Sequence, residues 1–504
     1  MSETTSAQEV LSATEALCPQ CLRRLPALRV RRGREVWLTR VCPEHGPAEA
    51  VIWRGEPGFE SWRRPKIPSA PPVLRTPVDR GCPFDCGLCP AHGQHTCTAV
   101  VEVTSRCDLR CPVCYASSGN GQGADPTPAM LAARLADLRR TAGACNLQLS
   151  GGEPTSRHDL PEIIAAARAQ QFGLVQLNTN GLRLAREPGY AERLANAGLQ
   201  SVFLQFDGPD EACMVLRGQP LFAAKLAALD ACARAGLGVV LVPTLLAGVN
   251  EHALGDIVRL GMERAPTVRG VHFQPASTFG RFPGAQNTAP RLTLPEVLTL
   301  LVAQSGGMLR AEDFHPPGCE HERCSFSGSF ALDAGRLLPL AGGGCCSGAS
   351  PLALAPREAP GVPNDAHGGV HNGTTPRVPH NEPLREPVHA PIQAPIRAEE
   401  GARQAKAAVA RQWAAAPVPA NTGPNASATA SPPRDDFERF LAQRRQDKRF
   451  SISCMAFQDA WTLDLERVRG CCIHTQAEDG RLIPFCLYNL TAEDGRTLYR
   501  ERRP

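Results

Sequence analysis

The chain has 504 residues, of which 21% are charged, and a formal net charge of +4. So small a charge, with no dense basic stripe, argues against nucleic acid as a partner. No run approaches the roughly 18 apolar residues of a membrane span, and residues 1–17 read as a disordered N-terminus without a signal peptide. We therefore expect a cytoplasmic protein that acts on a small molecule or a lipid, with at most peripheral membrane contact.

The 21 cysteines are the outlying feature of the composition. Disulfides would suit a short secreted chain, whereas this chain is long and groups its cysteines at metal-ligand spacings. The pattern indicates a reducing compartment and several bound iron or zinc sites.

Residues 18–70 have the pattern of a zinc ribbon or rubredoxin. A Cys-x-x-Cys knuckle and a later Cys-Pro-Glu-His are separated by a hairpin that turns at Gly33. Two knuckles at the ends of a hairpin hold one tetrahedral metal, so we predict a mononuclear iron or zinc. The fourth ligand stays open, because His45 is either a ligand or a surface histidine. The predicted thiolate ligands are Cys18, Cys21 and Cys42.

Residues 71–98 carry four more thiols within a short stretch. Four thiolates can saturate a 4Fe-4S cube, which predicts an auxiliary cluster for electron transfer or structure. A four-thiolate zinc site, or replacement of one thiol by His92 or His95, remains an alternative. The residues concerned are Cys82, Cys86, Cys89 and Cys97.

Residues 99–305 alternate apolar runs with amphipathic stretches, which is the pattern of a parallel α/β sheet. Six such units predict a six-unit (β/α) partial barrel flanked by small Cys-rich metal-binding domains. By analogy with complete barrels, the chemistry should lie at the C-terminal ends of the strands. The predicted strands are 99–104, 146–150, 174–179, 201–206, 239–243 and 270–274.

Directly after the first of these strands stands a Cys-x-x-x-Cys-x-x-Cys array formed by Cys107, Cys111 and Cys114. Three closely spaced thiolates can hold three corners of a 4Fe-4S cluster and leave the fourth iron open to a ligand. A zinc knuckle or a structural pair of thiols is the alternative. The spacing favours the open cluster.

The second strand ends in Gly151, Gly152, Glu153 and Pro154. Glycines at a strand end let a ligand approach the backbone, and a carboxylate accepts hydrogen bonds from an ammonium group. Further polar side chains follow the third, fourth and sixth strands at the same predicted edge: Asn178, Asn180, Asp207 and Gln274.

The remaining chain divides into 306–350, a low-complexity insert at 351–433, and 434–495. The insert contains one aromatic residue, Trp413, and too little apolar surface to offset the cost of ordering, so we expect it to be disordered, with a transient helix at 397–416. The segments on both sides contain cysteines and predict one auxiliary metal domain. Three further cysteines read as small buried apolar residues without chemistry: Cys145, Cys213 and Cys232.

The Cys array followed one unit later by Gly-Gly-Glu-Pro resembles the radical S-adenosylmethionine (SAM) enzymes. The resemblance implies that the array binds a cluster on which SAM is cleaved to a 5′-deoxyadenosyl radical, with an electron from a ferredoxin or flavodoxin. It implies that Glu153 accepts the methionyl amine and that the backbone of Tyr115 contacts adenine. The polar residues after the later strands would contact ribose, carboxylate, adenine or substrate.

The order of all the motifs resembles tetraether lipid synthase and the class D radical SAM methyltransferases. That resemblance implies a rubredoxin-like iron, the SAM cluster and two further 4Fe-4S clusters. It matches Cys454, Cys471 and Cys486 to part of the last cluster, with Cys324 or Cys319 completing it and Cys472 as a rival of Cys471.

Our leading hypothesis from sequence is carbon–carbon coupling of lipid tails after hydrogen abstraction from an unactivated carbon. Methyl transfer to a pterin-type small molecule, or peptide modification, is the alternative enzyme. A multi-cluster electron carrier is the alternative of another class, although it would need neither the Gly-Gly-Glu-Pro motif nor six βα units.

Overall fold

The structure is a computed structural model that describes residues 8–64, 69–119, 124–286, 289–340 and 449–500, with scattered residues between 403 and 414. Most of the predicted disordered insert at 351–433 therefore lies outside the described residues, as do residues 341–350 and 434–448.

The N-terminal unit is a four-stranded antiparallel sheet in the order β1-β2-β3-β4. The predicted hairpin forms between β2 and β3, and Gly33 turns it with a φ of +61°. The prediction of a disordered N-terminus was wrong for residues 8–17, which form β1 and bury Ala16 and Leu17. The polar composition of this strand concealed it. Its bounds and those of its neighbours are Gln8–Leu17, Arg24–Arg32, Glu35–Cys42 and Gly46–Arg54.

The main sheet is built on six parallel strands whose order in space follows the chain. Each strand is followed by a helix, as the alternating pattern predicted, and the strand bounds agree with the predicted ones within two residues. The α/β class with a parallel sheet is therefore confirmed. The strands are β5 (Thr98–Thr104), β6 (Asn146–Gly151), β7 (Leu174–Thr179), β8 (Ser201–Gln205), β9 (Gly238–Val242) and β11 (Val268–Pro275), and the short β10 (Thr244–Leu245) pairs with β11.

The C-terminal segment adds strands to both edges of this parallel sheet. Strand β14 (Arg449–Met455) pairs parallel with β11, and β15 (Ile473–Gln476) pairs parallel with β5. Antiparallel strands continue beyond them: β12 (Ser325–Asp333) and β13 (Arg336–Pro339) outside β14, and β16 (Leu482–Pro484) outside β15.

The helices pack apolar stripes against this sheet. Helix α1 begins at Pro128, after Thr127 accepts the amide of Met130, and it buries Leu131, Leu135 and Leu138 at one-turn spacing. The helices are α1 (Pro128–Ala142), α2 (Leu160–Ala169), α3 (Leu182–Arg186), α4 (Tyr190–Asn196), α5 (Asp210–Arg217), α6 (Phe222–Arg234), α7 (Leu254–Glu263), α8 (Leu294–Gln304), α9 (Leu465–Arg469) and α10 (Phe485–Tyr488).

Within the described ranges, no helix by itself combines the length and the apolar content needed to cross a bilayer. Among the described helices, only α5 and α6 taken together reach that composition, and they bend by 99° at their junction.

Candidate active site and metal centres

The three cysteines of the array lie together after β5. They share an apolar cluster with Leu109, Leu182 and Leu221. Burial raises the pKa of Cys107 to about 12 and also raises that of Cys111. Three cysteines close together in one loop and one apolar cluster fit a 4Fe-4S cluster that leaves its fourth iron open.

Two arginines fix the backbone of this loop. The Arg281 side chain donates to the Cys111 carbonyl at 2.6 Å, and its main chain exchanges two hydrogen bonds with Cys114, at 2.9 and 3.0 Å. Arg217, at the end of α5, donates to the Val113 carbonyl at 3.1 Å and to both oxygens of Asp207 at 2.7 and 2.9 Å. The loop is thus oriented by contacts that do not use its thiols.

The Gly-Gly-Glu-Pro motif has a steric explanation. A Cβ on Gly151 would lie 2.2 Å from the Thr104 carbonyl oxygen, and one on Gly152 would lie 2.1 Å from the Arg106 carbonyl oxygen. Only glycine permits the end of β6 to approach the start of the cysteine loop this closely. The two glycines therefore position the loop, and Pro154 opens a 3-10 turn behind it.

The carboxylate of Glu153 is 1% exposed and accepts four hydrogen bonds from the protein. Its Oε1 accepts hydrogen bonds from the main-chain amide and the hydroxyl of Thr155 and from the Thr179 hydroxyl, at 3.0, 2.7 and 2.7 Å. Its Oε2 accepts one from the main-chain amide of Asn180 at 2.7 Å. Burial raises its pKa, and the four donors oppose that shift. Glu153 therefore joins β6 to the Asn-containing turn after β7.

The other predicted site residues are divided between this edge and the interior face of the sheet. Asn180 donates to Asp108, beside Cys107, at 2.6 Å. The Tyr115 hydroxyl lies 2.9 Å from the Ser150 Oγ. Asp207 is engaged by Arg217 and by the Thr244 amide at 3.0 Å, so its carboxylate holds α5. Gln274 lies near the end of β11, where its main-chain amide donates to the Pro243 carbonyl.

A cavity of about 590 Å³ opens at this edge, a volume within the range of small-molecule sites. The ends of β5 and β6 line it on one side, with Gly151, Gly152 and residues 116–119. The C-terminal segment lines the other side, where Arg500 makes an ion pair with Glu102. The C-terminal segment thus contributes directly to the candidate site.

Sequence reasoning named Asn178 but missed the other polar side chains of a row on the interior face of the sheet. Gln148 and Gln176 are 2.9 Å apart, and Gln176 donates to Ser201 at 2.9 Å. Asn178 donates to Ser150 at 3.3 Å, and its buried Oδ1 has no hydrogen-bond partner in the described parts of the chain. The missed signal was polar residues at every second position of otherwise apolar strands.

Lys225 is a second residue that the sequence did not indicate. It is 1% exposed, and its Nζ donates to the Asn180 carbonyl at 2.5 Å and to Gln205 at 3.0 Å. Burial lowers its pKa to about 8. It connects α6 to the turn that Glu153 holds.

The N-terminal cysteines form a tetrahedral site with His45. The Cys21 and Cys42 sulfurs are 3.8 Å apart, and the His45 Nδ1 lies 3.7 Å from the Cys18 sulfur and 3.4 Å from that of Cys42. Metal–ligand distances of about 2.3 Å for sulfur and about 2.05 Å for nitrogen require separations of this size around a tetrahedral ion. The four ligand atoms all lie within 4.8 Å of one another. His45 thus lies where the fourth ligand that the sequence left open would be needed, and three thiolates with one imidazole fit zinc.

The four cysteines predicted to hold a cluster at 82–97 lie in two apolar groups, and the cluster itself stays a prediction. Cys82 and Cys86 share one apolar cluster, and Cys89 acts electrostatically on Cys86. Cys97 lies in another cluster, with Cys472 and Cys319, and its sulfur is 3.2 Å from the His95 Nε2. Cys97 lies apart from the other three because β15 pairs with β5, and its main-chain amide donates to the Cys472 carbonyl at 2.9 Å.

Three of the four cysteines predicted for the last cluster lie near one another. Burial raises the pKa of Cys471 and of Cys486, and Cys324 adds to both shifts. Arg467 donates to the Cys324 sulfur at 3.4 Å. Cys454 instead faces the apolar core opposite Phe326, and burial alone raises its pKa.

The class of protein follows from the sheet, the cysteine loop and two family models. Residues 101–261 match the model of the radical SAM superfamily, and residues 10–54 match the HMPTM N-terminal zinc ribbon domain. The chain is a radical SAM enzyme with an N-terminal zinc ribbon, which excludes the electron carrier.

Similarity to individual proteins identifies the family within this class. The 7,8-dihydro-6-hydroxymethylpterin dimethyltransferase of Methanocaldococcus jannaschii is 32% identical over 501 residues, covering 94% of this chain and 93% of its own length. The chain belongs to the family of that protein. The GTP 3′,8-cyclase of Paenarthrobacter nicotinovorans is 29% identical over 40% of this chain and 57% of its own. Among solved structures, methylornithine synthase aligns over 42% of this chain and 64% of its own, with 16% identity and a TM-score of 0.32.

Proposed function

We propose that this enzyme transfers methyl groups to a reduced pterin-type small molecule, on a six-unit partial barrel whose C-terminal edge carries the reaction. The similarity to the M. jannaschii dimethyltransferase along nearly the whole chain supports the reaction type. The polar interior face of the sheet is the observation that carries the choice of substrate.

That interior face suits a hydrogen-bonding ring system. Gln148, Gln176, Asn178 and Ser150 point their polar groups to the same side of the sheet, and the Asn178 Oδ1 is buried without a partner among the described residues. A lipid tail would leave the Asn178 Oδ1 unsatisfied, at a cost of about 1–3 kcal/mol. A pterin carries both donors and acceptors. The hypothesis of lipid-tail coupling gains no support from this lining.

Cys107, Cys111 and Cys114 would hold the 4Fe-4S cluster, and SAM would lie against the end of β6 in the 590 Å³ cavity. Bound there, the cluster and SAM supply a carbon-centred radical able to abstract hydrogen. Arg281 and Arg217 keep the loop in place, and Glu153 holds the turn after β7 beside it. The protein thus provides a fixed and largely buried site in which the radical is shielded from water.

We also propose that the remaining cysteine groups serve electron delivery from a ferredoxin or flavodoxin. One group contains Cys82, Cys86 and Cys89, and the other contains Cys324, Cys471 and Cys486. The first group is buried and the second is partly buried, so auxiliary 4Fe-4S clusters held by them would be largely shielded from solvent.

Anaerobic reconstitution with iron, sulfide and zinc, followed by SAM, reductant and 6-hydroxymethyl-7,8-dihydropterin, tests the proposal. The SAM that yields 5′-deoxyadenosine keeps its methyl group on methionine, so each transferred methyl group must come from a further SAM, which is left as S-adenosylhomocysteine while the reductant supplies the electrons. We expect 5′-deoxyadenosine, S-adenosylhomocysteine and a pterin heavier by one or two methyl groups, all detected by mass spectrometry. Cys111→Ala should abolish 5′-deoxyadenosine and the methylated pterin, whereas Cys232→Ala, in a buried helix away from the loop, should leave them. Formation of 5′-deoxyadenosine without any methylated pterin would refute the substrate assignment.

A further inference from the structure

One aromatic side chain from the insert lies on the interior face of the sheet. The Trp413 ring is 5.0 Å from that of Phe203 and 6.2 Å from that of His272. Phe203 and His272 are themselves stacked at 5.7 Å. Phe203 pairs in register with Asn178, and His272 is 2.8 Å from Ser453, so these rings lie at the level of the polar row. Trp413 lies within the stretch 397–416 for which a transient helix was predicted, and it is partly buried.

The segment reaches this place from the N-terminal edge of the strands. Its described residues from 403 to 413 are helical, and the Ala414 amide donates to the Ala410 carbonyl. Burial raises the pKa of the Cys145 thiol to about 12, and the positive charge of Lys406 opposes that shift. Cys145 is the residue directly before β6. The seven-residue step from Lys406 to Trp413 corresponds to about 10 Å along a helix axis, which is the length of about three residues of a strand. The helix therefore runs along the strands, from the edge opposite the cysteine loop to mid-strand.

The Trp413 Nε1 is buried and has no hydrogen-bond partner in the described portion of the structure. A buried N–H without an acceptor is costly, so an acceptor on a bound molecule would satisfy it. His272 is uncharged at neutral pH, because burial lowers its pKa to about 4. It therefore places no charge beside the Trp413 ring. A ligand that meets the Trp413 ring on this face is therefore expected to be neutral and to offer the indole N–H an acceptor.

We propose that Trp413 is a specificity-determining residue that closes the interior of the sheet from its N-terminal edge and admits only a compact ring substrate. Phe203 and His272 hold the indole, and the substrate lies between it and the cysteine loop. A substrate with a long substituent would meet the indole. This inference rests on the proposed function for the identity of the ring, but not for the position of Trp413.

Two probes that share a ring but differ in length test it: 6-hydroxymethyl-7,8-dihydropterin and 7,8-dihydrofolate. Their dissociation constants are measured by anaerobic calorimetry on the full-length, metal-loaded protein with SAM. The unmodified protein should prefer the compact probe by about tenfold or more, and Trp413→Ala should reduce that preference at least about fivefold. Trp413→Phe should retain most of it, and Gln412→Ala, on the same helix, should retain all of it.

A preference unchanged within about twofold in Trp413→Ala would overturn the inference. Hydrogen-exchange mass spectrometry tests the placement independently of any pterin. The amides of 403–414 should be protected in the unmodified protein and exchange faster in Trp413→Ala, with the sheet unaffected. Rapid exchange of this segment in the unmodified protein would also overturn it. If neither probe binds while the segment is protected, the proposed substrate fails and the closure stands.

Discussion

At the scale of single residues, the site depends on side chains whose partners are within the protein. Glu153 is the clearest case, because its carboxylate is surrounded by donors from two turns and holds them in place. His45 is a second, because it converts three thiols into a complete tetrahedral set. Both roles can be tested by substitution.

Glu153→Gln should weaken SAM binding by about tenfold or more. The glutamine amide places donors opposite either the Asn180 amide or the Thr155 and Thr179 groups, so the turn after β7 cannot keep its position. Calorimetric titration of the anaerobic protein with SAM measures the change. Glu162→Gln, an exposed change on α2, is the matched control. Equal affinities in the two variants would contradict the positioning role.

His45→Ala should lose at least about half of the bound zinc, because it removes one of four ligands. His45→Cys should retain the metal, since a fourth thiolate completes the same tetrahedron. Elemental analysis after gel filtration against a mild chelator gives the zinc content per chain. Glu44→Gln changes an exposed neighbour and should have no effect. Full zinc occupancy in His45→Ala would show that His45 is a surface histidine.

At the scale of elements, the cysteine loop is held by the end of one helix. Arg217 closes α5 and makes contacts with Asp207, Val113 and Thr244 at the same time. Its guanidinium satisfies four acceptors in fixed directions, which an ammonium group does not reproduce.

Arg217→Lys should reduce the amount of correctly ligated SAM cluster to less than about half, since the planar fork is lost and Asp207 keeps only part of its pairing. The electron paramagnetic resonance signal of the reduced protein, before and after SAM, reports cluster content and SAM access. Arg259→Lys, in an exposed pair with Asp256, provides the control. An unaltered SAM-dependent signal in Arg217→Lys would mean that the loop does not depend on α5.

The elements were largely predictable, and the long-range pairings were not. The six strands followed from short apolar runs separated by amphipathic helices, which are local signals. Strand β15 beside β5 joins residues more than 370 positions apart, and nothing in the local pattern of Ile473–Gln476 indicates its partner. The same difference between local signals and long-range pairing applies to the cysteines. The Cys107 array was evident from its spacing, whereas the Cys97–Cys472 contact depends on the pairing of β15 with β5.

At the scale of the whole molecule, the zinc ribbon is attached to the C-terminal segment rather than tethered by a linker alone. Arg29 is 3% exposed and donates to Asp464 at 2.8 Å, with Glu466 beside it. Arg40 donates to the Ala460 carbonyl at 3.1 Å. Thr14 donates to the other oxygen of Asp464 at 2.7 Å.

Arg29→Ala should destabilise the protein by about 3–5 kcal/mol, because it leaves the buried Asp464 carboxylate without its cation. Arg31→Ala, which removes a partly exposed pairing with Glu9 and Glu60, should cost less than about 1 kcal/mol. Thermal unfolding followed by circular dichroism compares the two. Similar midpoints for both variants would show that the ribbon docks without this pair.

The two C-terminal strands that flank the parallel sheet also impose an order on synthesis. Residues 98–275 emerge from the ribosome with β5 and β11 as open edges, and β14 follows only at residue 449. At about 5–20 residues per second, the interval between them is on the order of ten to thirty seconds. During that interval the nascent sheet exposes two unpaired edges, which are sites of aggregation. The same interval leaves the cysteine loop open to cluster delivery before the last strands cover the sheet.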